Sequence, residues 1–199
     1  MFLTLEKLLR INENNIRFPD LGEIELKSKR RDTSSDVTLF TFNRGVWRID
    51  QSEVIERYGY RDKKRRRALK CNVDIHTNPQ GLRLFVSRTT LRLYHSRTLI
   101  AVWQSKTLME YFSQKIPALI LVIADTRRVR RKEEFHYKEA YLLQKPTKRR
   151  LFNLIKNGNV VVNLRMHLEP NGHVRNRGTA FRIAEQNLAQ CFGTKRRLL

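Results

Sequence analysis

One stretch limits the fold more than any other: Ala118-Leu119-Ile120-Leu121-Val122-Ile123-Ala124, preceded by Pro117 and closed by Asp125. An unbroken apolar run has no solvent face, and its length and β-branched content make it a strand buried on both sides. Such a strand belongs at the centre of a sheet. It is also too short to cross a bilayer. Other strands are expected at 23–28, 37–42 (antiparallel to the one before it), 68–75, 82–90, 91–103, 135–144 and 160–168, with separating turns at 78–81 and 95–97. Helices are expected at 3–11 with Thr4 as cap, 51–58, 106–116, 147–157 capped by Thr147 and stopped by Gly158, and 179–192. Residues 12–17 read as a polar turn. The sum is α/β: a mixed sheet with helices on its faces and basic loops along one side.

Charge narrows the partner. The 199 residues carry 41 Lys and Arg against 19 Asp and Glu, a net charge of +22, which calls for a polyanion because basic side chains release the counterions condensed on phosphates. A membrane surface is the rival, but the chain shows no long basic amphipathic helix, no lipidation motif and no signal peptide. Cys71 and Cys191 stand far apart with no metal-ligand spacing, and the five histidines show none either, so the expectation is a cytoplasmic protein without zinc. No Gly-rich phosphate loop is present. The densest basic run, Lys63-Lys64-Arg65-Arg66-Arg67, and the turn with His173, Arg175 and Arg177 are the expected phosphate- and base-facing segments.

The chemistry is concentrated in Pro19-Asp20-Leu21-Gly22-Glu23-Ile24-Glu25-Leu26-Lys27-Ser28. Pro19, Asp20 and Gly22 mark a turn, and the alternation after it marks a half-buried strand. On such a strand Glu25 and Lys27 share one face while Ile24 and Leu26 point into the core. Two carboxylates, phosphate oxygens and water suit Mg²⁺, and a neighbouring ammonium can orient water and stabilise a phosphoryl group. A solvated Glu-x-Lys pair of little energetic consequence is the plainer reading of the same spacing.

The wider string Thr4-Leu5-Glu6-Lys7-Leu8-Leu9-Arg10-Ile11, Glu13-Asn14, Pro19-Asp20, Glu25-Leu26-Lys27-Ser28 and Thr38-Leu39-Phe40-Thr41 resembles the opening of the MvaI/BcnI restriction endonucleases, relatives of the mismatch-repair nicking enzyme MutH. The segment from Arg177 to Ile183 resembles a late family segment less closely. The resemblance implies one PD-(D/E)xK domain over residues 1–199, with catalytic and recognition lobes around a DNA cleft. Catalytic elements would lie mainly in 1–45 and recognition elements would include 160–185. Asp20 and Glu25, with the Leu26 carbonyl, would hold Mg²⁺; Lys27 would position the attacking water; Glu6 would support the lysine or that water. Lys29, Arg30, Arg31, Lys63, Lys64, Arg65, His173, Arg175, Arg177 and Arg182 would contact double-stranded DNA. It implies a monomeric hydrolase of a restriction system that cuts CCNGG-like sites one strand at a time. Family members carry more residues before the Glu6 helix, so a shortened N-terminus is implied too. A MutH-like repair nickase and a non-catalytic basic nucleic-acid-binding protein are the alternatives.

Overall fold

The computed structural model describes residues 2–11, 19–130 and 132–199; the turn expected at 12–17 lies outside the described residues. The first elements are α1 (Phe2–Leu8), β1 (Ile24–Arg30), β2 (Val37–Thr41), α2 (Gln51–Tyr58), β3 (Tyr60–Arg61), β4 (Arg67–Val73) and β5 (Leu82–Val86). Then come β6 (Thr90–His95), β7 (Thr98–Gln104), α3 (Ser105–Lys115), β8 (Ala118–Val129), β9 (Lys132–Pro146) and α4 (Lys148–Lys156). The last are β10 (Val160–Leu168), β11 (Val174–Asn176), β12 (Ala180–Ile183), the short α5 (Glu185–Leu188), a 3-10 turn at Ala189–Cys191, and β13 (Phe192–Arg197).

The chain forms two compact units. The first, made of Met1–Val37, Glu110–Arg150 and Ala184–Leu199, holds a four-stranded sheet in the order β1-β8-β9-β13. The apolar run is β8, at the centre: β1 runs parallel to it on one side and β9 antiparallel on the other. Leu119, Leu121, Val122 and Ile123 are all buried, as an interior strand requires. On one face of this sheet, Leu5 of α1 packs with Leu26 and Val122, joined at its margin by Ile11, Ile120, Tyr137 and Ala140.

The second unit, Thr38–Met109 with Leu151–Ile183, holds two sheets: β2-β12-β10-β4-β3 with β11 beside β10, and the meander β5-β6-β7. Trp103 and Phe181, both fully buried, anchor it. Phe181 stacks on Phe40 at 4.8 Å and meets Trp103 edge-on at 6.0 Å, and Trp103 Nε1 donates to the Phe42 carbonyl at 3.0 Å. Such ring pairs add to their area burial, and the indole N–H is buried without penalty because it finds a partner.

Helix α2 shows how local sequence sets a boundary. Asp50 accepts the Ser52 N–H at 2.7 Å, Val54 and Ile55 are buried, and the Gly59 N–H closes the end on the Ile55 carbonyl at 2.9 Å. A Cβ at Gly59 would lie 2.8 Å from the Ala68 carbonyl oxygen, against a backbone that cannot swing away. Gly59→Ala is therefore expected to lower stability by about 1–3 kcal/mol, read as a lower denaturation midpoint at unchanged slope.

Four local expectations are corrected. Thr4 lies inside α1 rather than capping it. β2 does not pair with β1; it joins the other unit's sheet beside β12, a partner some 140 residues along that local pattern could not reveal. Thr147 Oγ1 is buried without a hydrogen-bond partner, so it does not cap α4. The helix expected at 179–192 is instead a strand, one helical turn and another strand. Its apolar residues at mixed spacing fit either period, and pairing of Phe181 and Ile183 with Val162 and Val160 decides for strand. Among the described residues no helix is long and apolar enough to cross a membrane.

Candidate active site

The site begins with a tight turn. The Leu21 and Ile24 backbones exchange hydrogen bonds of 2.9 and 3.1 Å, and Gly22 between them has φ +65°. A positive φ at the first central position is the type II′ arrangement, and glycine adopts it without the strain a Cβ would bring. This turn folds Asp20 back along β1, where its Oδ2 accepts the Leu26 N–H at 3.0 Å. β1 is the edge strand of its sheet. Ile24 and Leu26 therefore direct their backbone groups off that edge, away from β8. Because an extended residue points its N–H and C=O to the same side, the Leu26 carbonyl faces the side on which Asp20 sits.

Glu25 and Lys27 project from one face of β1, opposite to Leu26. Glu25 is 1% exposed, which is rare for a carboxylate unless cations compensate it. Two do. The Lys27 ammonium donates to Glu25 Oε1, and Lys115, in the last turn of α3, brings its Nζ to 2.9 Å from Glu25 Oε2. The Oε2 contact is an ion pair without an aligned hydrogen bond, leaving that oxygen with capacity to coordinate. Glu6 is also buried, but on α1, which packs through Leu5 against the Leu26 face of the strand. Among the described residues, Glu6, Asp20 and Glu25 do not gather into one group of three carboxylates that could hold a metal ion.

The nominated basic residues fall into two groups. On the first unit, Lys29 lies 3.6 Å from Glu185, Arg30 pairs with Glu133 at 2.5 Å, and Arg31 pairs with Asp125 and Glu139 at 2.8 and 2.5 Å. These three are engaged with carboxylates. On the second unit, Lys63, Lys64 and Arg65 are exposed in the β3–β4 turn, which Asp62 organises by accepting the Lys64 N–H, the Arg66 N–H and the Arg66 guanidinium. The Arg66 guanidinium holds the Asp62 carboxyl well below the usual carboxylate range. His173, Arg175 and Arg177 are exposed in and beside β11.

Register on that unit reveals residues that the sequence reading missed. Arg165 stands opposite Lys70, Asn163 opposite Asn72, and Val161 opposite Arg182, so all share one face of the sheet. Asn163 donates to Asn72 Oδ1 at 2.7 Å, and Arg165 donates to the carbonyls of Arg177 and Gly178 at 3.0 and 3.2 Å. Burial, then the adjacent Arg182 and Arg177, depresses the Arg165 pKa, which sets these three cations close together on the sheet. The signal was present: Asn163, Arg165 and His167 alternate with the apolar Val162, Leu164, Met166 and Leu168 along β10.

A model of the MvaI/BcnI restriction endonuclease family matches residues 3–192. The chain belongs to that family. Among solved structures it is similar to restriction endonuclease MvaI in complex with cognate DNA substrate, at TM-score 0.83 and 21% identity over 100% of this chain and 87% of that one. MvaI in the absence of DNA gives TM-score 0.60 and 19% identity, over 98% of this chain and 84% of that one. The fold is thus that of MvaI, a mixed α/β architecture consistent with the PD-(D/E)xK class. No match was found among curated protein sequences.

In an MvaI/BcnI family member the Asp20–Glu25–Lys27 edge fits a divalent ion on the chemistry of its donors. It offers hard oxygens only, and one carboxylate is buried with an oxygen that accepts no aligned hydrogen bond. Lys115 was invisible in the sequence, as a lysine ending a helix 90 residues from Glu25. Removing it leaves the buried carboxylate with one cation fewer. Lys115→Met is therefore expected to cost about 1–3 kcal/mol in metal-free protein. Added Mg²⁺ should then raise the melting temperature more than it does in the wild type, since the ion takes over the missing charge. Thermal melts with EDTA and with Mg²⁺ read both effects.

Proposed function

We propose that this chain is a Mg²⁺-dependent type II restriction endonuclease that hydrolyses duplex DNA at a short, CCNGG-like sequence, as a monomer cutting one strand at a time. The observation that carries this reading is the edge of β1, where Asp20 is hooked onto the Leu26 N–H beside the buried Glu25 and its Lys27 partner. Asp20, Glu25 and the Leu26 carbonyl would hold the ion. Bound there, Mg²⁺ would supply Lewis acidity and offset charge on the scissile phosphate.

The chain's own groups do the rest. Lys27 would turn from Glu25 towards a water, orient its oxygen in line with the phosphorus, and stabilise the negative charge that builds on the phosphoryl oxygens. The water oxygen bonds to phosphorus as the bond to O3′ breaks, giving a 5′-phosphate and a 3′-hydroxyl. Lys115 would keep Glu25 in place while Lys27 is engaged. The face bearing Arg165, Arg175, Arg177 and Arg182, with Asn72 and Asn163, has the donors that read base edges, since arginine pairs bidentately with guanine and asparagine with adenine.

Incubation with unmethylated DNA of known sequence and Mg²⁺, followed by sequencing of the ends, tests this reading. Breaks that all fall in one short motif and carry 5′-phosphates are expected. Ends scattered without a motif would reject site-specific cleavage.

A further inference from the structure

The sheet of the first unit is unequal in outline. β1 ends at Arg30, level with Ala124, and β13 pairs with β9 only from Tyr141 onward. The rungs Asp125↔His136, Thr126↔Phe135, Arg127↔Glu134, Arg128↔Glu133 and Val129↔Lys132 therefore continue past both neighbouring strands as a two-stranded ribbon. Arg127, Arg128, Lys132, Glu133, Glu134 and His136 are all exposed on it. An isolated ribbon is marginal in water, and here the support is at its root. The Arg31 N–H donates to the Ala124 carbonyl at 3.0 Å, Thr126 Oγ1 to Asp32 at 2.9 Å, and the Arg30 guanidinium lies 5.4 Å from the Phe135 ring centre.

Charge rises towards the tip. Residues 127–132 read Arg-Arg-Val-Arg-Arg-Lys. Glutamates stand across the ribbon from Arg127 and Arg128, while Lys132 faces Val129 and no acid. The surface is too polar for an apolar partner, and a two-stranded ribbon is of a width that a DNA groove admits. Lys27 is level with Leu121, so Val129 stands eight residues further along β8. At about 3.3 Å per residue the tip is roughly 26 Å along the strand direction from the catalytic lysine. On a duplex lying along that direction, with roughly 3.4 Å per nucleotide, the tip would stand some 7–8 nucleotides away, beyond the reach of a short site.

We propose that the ribbon of residues 125–130 and 132–136 is a flank-gripping arm, whose cations, Arg130 and Lys132 foremost, hold phosphates of duplex DNA outside the recognition sequence. The proposal rests on the nuclease reading in taking duplex DNA as the ligand and Lys27 as the mark of the cleavage position. It gives the arm a role in sequence-independent affinity and none in chemistry.

The test uses two duplexes with the same central sequence, one with flanks of about 3 base pairs and one with about 20, bound by the wild type and by the R130Q/K132Q double variant in metal-free buffer. On the long duplex the variant should bind about 10–100-fold more weakly at low salt, and the slope of log K against log salt should shrink by about 2. On the short duplex the two proteins should bind alike. A loss of the same size on both duplexes, or none on the long one, overturns the proposal. A second variant, with residues 127–134 replaced by a short turn, should reproduce the length dependence; an equal melting temperature shows that its fold is intact. Wild type that grips the long duplex through the arm yet cuts no DNA, neither this duplex nor unmethylated plasmid, once Mg²⁺ is added would sink the nuclease reading and leave the arm standing. Wild type that binds neither duplex overturns both.

Discussion

Lys27→Met is expected to slow DNA cleavage by about 10²–10⁴-fold while changing DNA affinity by no more than about threefold. Methionine keeps an unbranched stem of similar bulk but removes the ammonium. The Lys27 side chain is 22% exposed and sits on the Glu25 side chain, which is 2% exposed, so it reaches solvent while the carboxylate does not. That exposure lets it meet a water and a phosphate. Lys115 still faces Glu25 in the variant, so the carboxylate does not lose all compensation and the fold should hold. Lys27→Arg should recover little, because a planar guanidinium cannot replace a compact ammonium at a single water. Single-turnover cleavage beside fluorescence anisotropy separates the two quantities. A fall in binding equal to the fall in rate would make Lys27 a binding residue only.

DNA affinity is expected to fall by about 10³-fold or more between roughly 50 and 200 mM salt, as for proteins that neutralise many phosphates. The net charge of +22 sets the size of this effect, and the structure says which cations should dominate. Lys29, Arg30 and Arg31 already face carboxylates, whereas Lys63, Lys64 and Arg65 are exposed on a turn whose own acid, Asp62, is engaged by Arg66 and Lys70. Changing Lys63, Lys64 and Arg65 together to glutamine should therefore lower the slope by up to about 3, close to one per phosphate contact. The same change at Lys29, Arg30 and Arg31 should move the slope less and the melting temperature more. A filter-binding titration over salt, with melts of each variant, reads both. Equal slopes for all three proteins would remove the β3–β4 turn from the interface.

What could be read from the sequence was whatever short-range physics dictates. The buried centre strand follows from seven apolar residues in a row, and the Asp20–Glu25–Lys27 arrangement from a glycine turn followed by strict alternation. Helix α2 was legible because Asp50 and Gly59 bracket it. Long-range pairing was not legible. Nothing near Val37 says that its strand lies beside residues 180–183, and nothing near Lys115 says that it meets Glu25. The segment 179–192 was misread because its apolar spacing suits two periods, and only contact with β10 separates them. The ribbon of residues 125–130 and 132–136 escaped notice because its ends look like two ordinary strands until the register shows both neighbours stopping short.

The most direct measurement is digestion of supercoiled, unmethylated plasmid by the wild-type protein with Mg²⁺, with EDTA, and with Mg²⁺ restored, beside Asp20→Ala. Discrete nicked and linear products that vanish in EDTA, return with Mg²⁺ and are absent in the variant are what the Asp20–Glu25–Lys27 centre predicts. DNA that is bound but never cut under any of these conditions, or cutting by Asp20→Ala at the wild-type rate, would contradict it.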